Sequence, residues 1–263
     1  MPITQKHFEA PVPYDLYLPS GPGPYPLICM TPILGRLSFL EDLFFERRFA
    51  SYFAENGFAA ALIHRPIFDF LSGQGLAQIQ TYLENSLKRN QTAFEALLQN
   101  KSIDPERTAT FGVSFGAVIS SLWAAREPRF KAHVLALGGG NLPEIFTQSR
   151  DPLMLSYFEA ALREQNGNLQ ELKENLATVF TCEPLNECRT LSPDRVLMIL
   201  ARFDQVVPFK YGMALREKIG NPETVILPLG HYFSILAVPY LKRKAVHFLK
   251  RKLLQGVPCS ASK

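Results

Sequence analysis

Short apolar runs alternate along this chain with longer segments whose apolar residues recur at a helical period of 3.6, and that alternation admits few folds. A strand that is apolar on both faces must be covered on both, and the helical segments between strands supply the cover. The pattern predicts an α/β fold with a mostly parallel sheet flanked by helices. Strands are expected over 7–18, broken by Pro11 and Pro13 into edge strands, then at PLICMT after the Pro/Gly turn cluster of 20–26. Further strands are expected over 58–64, 108–113, 130–137, 195–201 and 223–227. Helices are expected over 43–55, 76–99, 115–126, 211–219 and 232–254, the last kinked or split by Pro239. Between 142 and 193 the strand pattern stops and amphipathic helix takes over. Residues 142–193 therefore read as a helical cap, inserted between the sixth and seventh strands of a core formed by 1–141 and 194–263.

Composition removes several other classes. With 47% hydrophobic and 20% charged residues the chain can bury a large core, which excludes intrinsic disorder. Its four cysteines form no CxxC pair, so neither a disulfide scaffold nor a common zinc module is expected, and Cys182 and Cys188 read as free thiols. The opening MPITQKHFEA lacks a basic start followed by an apolar run, so a cytoplasmic location is expected. Residues 108–125 carry no charge, but Ser, Thr and Gly interrupt them, and buried core is the better reading than a membrane span. The net charge of +4 is concentrated in Lys242, Arg243, Lys244, Lys250, Arg251 and Lys252. A basic helix of this kind can touch an anionic membrane surface weakly. A solvated face fits better, because cations near a helix C-terminus complement its dipole. No basic groove interleaved with aromatics is present, so no nucleic-acid partner is expected, nor is any metal or cofactor.

Gly112, Val113, Ser114, Phe115 and Gly116 form a G-x-S-x-G at a strand-to-helix junction. A nucleophile on so sharp a turn takes a strained backbone, and only neighbours without side chains avoid clashing around it. A serine hydroxyl becomes a useful nucleophile when a histidine takes its proton and a carboxylate fixes the histidine's tautomer. Asp204, in RFDQVVP, and His231, in PLGHYF, each follow a strand, on the sheet edge where open α/β folds build their sites. The bland alternatives are an N-cap role for Asp204 and a turn role for His231. His64 could line the pocket, whereas His7, His133 and His247 read as surface or packing residues. Phe146 and Phe158 of the cap could line an apolar substrate path, although docking of the cap on the core competes for them.

In the GVSFG elbow, the strand-terminal FDQVVP and the LGH before the last helix, the chain resembles the α/β-hydrolase superfamily over nearly its whole length. That resemblance implies a triad in the order Ser114, Asp204, His231, and an oxyanion hole from the amide of Phe115 and one amide of the loop MTPILGR. Many members begin that loop with His-Gly, whereas here Thr31 and Pro32 stand; Pro32 has no N–H, leaving Ile33 as first choice and Leu34 as reserve and pocket-lining candidate. The implied activity is a serine hydrolase cleaving a carboxylic ester or thioester of a small, apolar acyl substrate. A peptidase, an acyltransferase or a non-catalytic ligand-binding protein of the same fold are the alternatives.

Overall fold

The computed structural model describes residues 3–33, 39–65 and 77–254, with backbone alone over 39–45. Eight strands form one sheet: β1 (Ile3–Phe8), β2 (Tyr14–Pro19), β3 (Tyr25–Thr31), β4 (Ala59–Ile63), β5 (Ile103–Val113), β6 (Ala132–Ala136), β7 (Val196–Ala201) and β8 (Glu223–Leu227). Their spatial order is β1-β2-β4-β3-β5-β6-β7-β8. β2 pairs antiparallel with β1 and β4, and every other pairing is parallel. The expected α/β sheet is thus present, with the one reversed strand near an edge.

Alternate residues of the central strands serve two separate cores. In β3, Leu27 and Cys29 face the side covered by α2 (Ala77–Leu98) and α3 (Phe115–Arg126), while Ile28 and Met30 face α1 (Phe39–Glu55) and α9 (Val238–Leu253). Both faces are dry, which is why these strands read as continuous apolar runs. A further helix, α8 (Phe209–Ile219), packs Leu215 and Ile219 against Met198 and Leu200 of β7. The uncharged stretch 108–125 becomes the end of β5 and most of α3. Among the described residues no helix is long and apolar enough to cross a membrane. Cys29, Cys182 and Cys188 are buried and free; Cys259 lies outside the described residues.

Some boundaries differ from expectation for local reasons. β5 begins at Ile103 rather than near Thr108, because the polar IDPER stretch pairs with Tyr25 and Pro26 across a register shift at Pro26/Leu27. The 232–254 segment is split beside Pro239, as expected. Pro239 occupies the first turn of α9, where its missing N–H costs nothing, after a separate 3-10 segment, Tyr232–Ala237. On α9, Arg251 pairs with Glu223, Lys252 approaches Asp194 at 3.7 Å, and Lys242 donates to the Arg48 carbonyl at 2.7 Å, so much of the basic face is engaged by the chain itself.

Between β6 and β7 run α4 (Leu142–Gln148), α5 (Pro152–Glu164), α6 (Leu169–Val179) and the short α7 (Pro184–Glu187). Phe146, Tyr157, Leu172, Leu176 and Phe180 of this segment belong to the same buried cluster as Leu16, Leu27, Phe94 and Trp123. The Glu183 carboxylate accepts from the Asn141 and Leu142 amides, each at 2.7 Å, and so closes the segment's end onto its start.

One buried titratable group in the sheet carries a stability prediction. His133 of β6 is 3% exposed, with Nδ1 3.1 Å from Thr110 Oγ1. Burial, reinforced by the Arg195 charge, pushes its pKa down from 6.5 to about 3. The folded chain holds this ring neutral, whereas the unfolded chain protonates it below about 6.5. Its contribution is therefore complete above that pH and is lost as pH falls toward 3, by about 1.4 kcal/mol per pH unit. Urea unfolding at several pH values across that window is expected to give a shallower decline for His133→Gln than for the parent chain; equal slopes would rule His133 out as the cause.

Candidate active site

Ser114 joins β5 to α3 with φ +56° and ψ −123°, a backbone conformation costing a non-glycine residue about 1–3 kcal/mol. The flanking glycines make it sterically attainable. A Cβ on Gly112 would lie 2.3 Å from the Gly116 carbonyl oxygen and 2.6 Å from Thr31 Oγ1; one on Gly116 would lie 2.4 Å from the Thr31 carbonyl oxygen. The Ser114 amide donates to the Ala136 carbonyl of β6 at 2.8 Å, fixing the turn to the sheet. Thr31, standing where the resemblance would have a histidine, is buried and bonds its hydroxyl to the Gly116 carbonyl (2.6 Å) and Ser120 Oγ (2.7 Å), stitching β3 to the start of α3.

Asp204 lies in the turn after β7, and its Oδ1 accepts from the Val206 and Val207 amides, each at 2.9 Å. Oδ2 is thereby aimed at His231 Nδ1, 2.7 Å away. His231 follows β8 in a turn held by Ser234, whose Oγ donates to the Gly230 carbonyl at 2.8 Å. Its Nε2 lies 2.9 Å from Ser114 Oγ. The Asp204 and His231 side chains are 3% and 9% exposed, so the polar contacts act in a largely water-excluded setting. Because an ionised carboxylate can only accept, Nδ1 carries the proton and Nε2 presents its lone pair to the hydroxyl. All three residues singled out in the sequence come together.

The oxyanion candidates fare differently. Phe115 is the first residue of α3, whose opening amides have no carbonyl acceptor within the helix. The Ile33 amide donates to Glu46 Oε1 at 2.7 Å, and the Ile33 carbonyl accepts from Arg65 Nη1 at 2.7 Å. The preferred second donor is thus committed to a carboxylate that the sequence reading overlooked, since Glu46 reaches it only through the folding of α1 against the end of β3. Leu34, the reserve donor and pocket-lining candidate, lies outside the described residues.

Phe146, named as a substrate-lining candidate, is 2% exposed, packs edge-on against Tyr157 and Phe158 of α5, and belongs to the buried cluster shared with the sheet, which agrees with the docking role also expected of it. Phe158 is only partly buried at the margin of the same cluster. His64 does not approach Ser114; its Nε2 lies 3.3 Å from Asp15 Oδ2. Exposed apolar side chains instead flank the site in sequence: Phe203 precedes Asp204, and Tyr232, Phe233, Ile235 and Leu236 follow His231. Two hydrogen bonds tie the inserted helices to both site turns, from the Arg150 amide to the Gln205 carbonyl (2.8 Å) and from the Tyr232 hydroxyl to the Asp151 carboxylate. Clefts of about 600 and 430 Å³ lie elsewhere, one lined by Arg202, Phe209 and Arg216 and the other by Tyr17, Arg47 and Lys242.

The chain matches the prolyl oligopeptidase family over residues 47–226, a span that includes Ser114 and Asp204 and ends just before His231. Esterase FrsA of Enterobacter sp. (strain 638) is 31% identical over 144 residues, 52% of this chain and 32% of the relative. Esterase FrsA of Escherichia fergusonii is 33% identical over 145 residues, with the same coverage of 52% and 32%. The match therefore spans about a third of the length of these relatives. Among solved structures, 2,6-dihydroxy-pseudo-oxynicotine hydrolase superposes with a TM-score of 0.68 at 20% identity, over 97% of this chain and 69% of that one. The acylaminoacyl peptidase of Pyrococcus horikoshii gives 0.69 at 16% identity, over 99% and 43%. An esterase of Pyrococcus furiosus gives 0.66 at 14%, over 96% and 92%. At these identities the structural likeness is one of fold. The family match and the sheet order agree, and the chain belongs to the prolyl oligopeptidase family within the α/β-hydrolase superfamily.

Proposed function

We propose that the chain is a serine hydrolase that cleaves a carboxylic ester or thioester of a small apolar acyl substrate. The reading rests on the relay from Asp204 Oδ2 through His231 to Ser114 Oγ, with spacings of 2.7 and 2.9 Å. His231 Nε2 takes the hydroxyl proton as Oγ attacks the acyl carbonyl, then returns it to the departing alcohol or thiol. Asp204 orients the ring and stabilises its cationic form. Water, deprotonated by the same nitrogen, then releases the acid from the acyl-serine. The Phe115 amide, at the positive end of α3, receives the developing oxyanion. Ile33 contributes a second donor only when Glu46 releases its amide.

The exposed Phe203, Tyr232, Phe233, Ile235 and Leu236 beside the site favour an apolar acyl or alcohol group, and relatives named as esterases point the same way. A peptidase reading draws on the family match and on the acylaminoacyl peptidase fold. A pure binding reading draws on the Ile33–Glu46 contact. The cytoplasmic placement expected from the sequence stays part of the proposal. Fluorophosphonate labelling of the purified chain tests the nucleophile: one adduct, lost in Ser114→Ala, is expected, and an unlabelled chain or an adduct that persists in the variant would sink the proposal. A series of p-nitrophenyl esters of increasing chain length, set against peptide amides, separates the three readings. Turnover of esters with a chain-length optimum is expected; faster cleavage of peptides would make it a peptidase, and no turnover of either a binder.

A further inference from the structure

Three strands bring a second group of side chains together away from Ser114. His7 of β1, Asp15 of β2 and His64 just beyond β4 each offer one donor atom, and the three atoms lie within 4.8 Å of one another. The ladder register causes this. His7 stands opposite Asp15, and Asp15 stands opposite Leu62, so that His64, two residues on, shares the face of Leu62. Asp15 is 2% exposed. Its Oδ1 lies 2.6 Å from His7 Nδ1, but its Oδ2 has no hydrogen-bond partner, and the His64 Nε2 it faces at 3.3 Å is also buried without one. Buried polar atoms without a hydrogen bond destabilise a fold, so this pair is placed to receive a further partner.

We propose that His7, Asp15 and His64 bind one divalent transition-metal ion of the zinc class, stapling the edge strand β1 to the interior of the sheet. Two imidazoles and a carboxylate suit zinc, whereas magnesium and calcium take all-oxygen sets. The 3.3 Å between Oδ2 and Nε2 is about the separation of two donors that each sit 2.0–2.1 Å from a tetrahedral ion. With Nδ1 of His7 as a ligand, its Nε2–H donates to Glu9 Oε1 at 2.9 Å, the outer carboxylate that commonly orients a metal-bound histidine. Arg47, 3.7 Å from Asp15 Oδ2, is the chain's own competing cation, and its side chain is 43% exposed, which leaves it room to turn outward. The His7 side chain is 44% exposed, giving an ion and a fourth, water ligand a way in.

The test uses the full chain, stripped with a chelator, dialysed, and titrated calorimetrically with zinc near neutral pH; cobalt absorption reports the ligand geometry. One ion per chain with a Kd of about a micromolar or tighter is expected, with tetrahedral cobalt bands and a raised Tm. His7→Ala, at a half-exposed position on an edge strand, is expected to keep the fold and weaken binding by at least about tenfold. Asp15→Asn is expected to abolish binding, and if it fails to fold, His7→Ala decides. Absence of saturable zinc binding to the parent chain, or unchanged affinity in His7→Ala, overturns the proposal. Fluorophosphonate labelling of Ser114 is independent of either result.

Discussion

Ser114→Ala is expected to lower kcat on a short-chain p-nitrophenyl ester by about a millionfold, His231→Ala by about as much, and the double variant by no more than either alone. The hydroxyl and the ring nitrogen act as one device: with Oγ gone, Nε2 has no proton to take, and with the ring gone, Oγ stays a neutral alcohol. Losses that multiplied in the double variant would mean that the two side chains act independently. Residual turnover should survive from the Phe115 amide and from binding. Thermal unfolding should change little for Ser114→Ala, since the strained backbone at φ +56° is held by Gly112, Gly116 and the Ala136 carbonyl rather than by the hydroxyl. Steady-state kinetics on the three variants, with Tm measured alongside, checks all of this.

Asp204→Asn is expected to cost about ten-thousandfold in kcat with little effect on folding. Asp204 Oδ1 accepts two backbone amides, from Val206 and Val207, and an asparagine keeps both bonds only by turning its own oxygen to them. Its NH2 then faces His231 Nδ1, which must accept and so loses its proton to Nε2. The ring presents a donor to Ser114 where a base is needed. Asp204→Ala leaves Nδ1 free to choose, at the cost of the turn, so it is expected to destabilise the chain more while harming kcat less severely than the tautomer-trapping amide. If Asn and Asp variants turned over alike, the carboxylate would be only the cap of its own turn.

What the sequence made legible followed from chemistry written in short stretches. α3 runs over Phe115–Arg126 as read, because the elbow fixes its first residue and its small side chains let it lie against the sheet. α1 ends as read at Glu55, with Gly57 two residues on at φ +92°. The order Ser114, Asp204, His231 was readable because each follows a short strand-like run, buried in β5 and β7 and half-exposed in the edge strand β8. Contacts made by tertiary folding were not readable. Nothing near Glu46 announces that its carboxylate will reach the Ile33 amide, thirteen residues back. His7, Asp15 and His64 look unremarkable until β2 pairs with both β1 and β4. Phe146 had the composition of a pocket wall, and only the buried cluster it shares with Leu27 and Trp123 joins it to the core.

The helices between β6 and β7 share one buried cluster with the sheet, through Phe146, Tyr157, Leu172, Leu176 and Phe180. A gate that swings needs a seam that water can wet and reseal, and this segment has none along that face. Prising it off would strip apolar surface at about 25 cal/mol per Å², so heat and denaturant should melt the whole chain in one cooperative step.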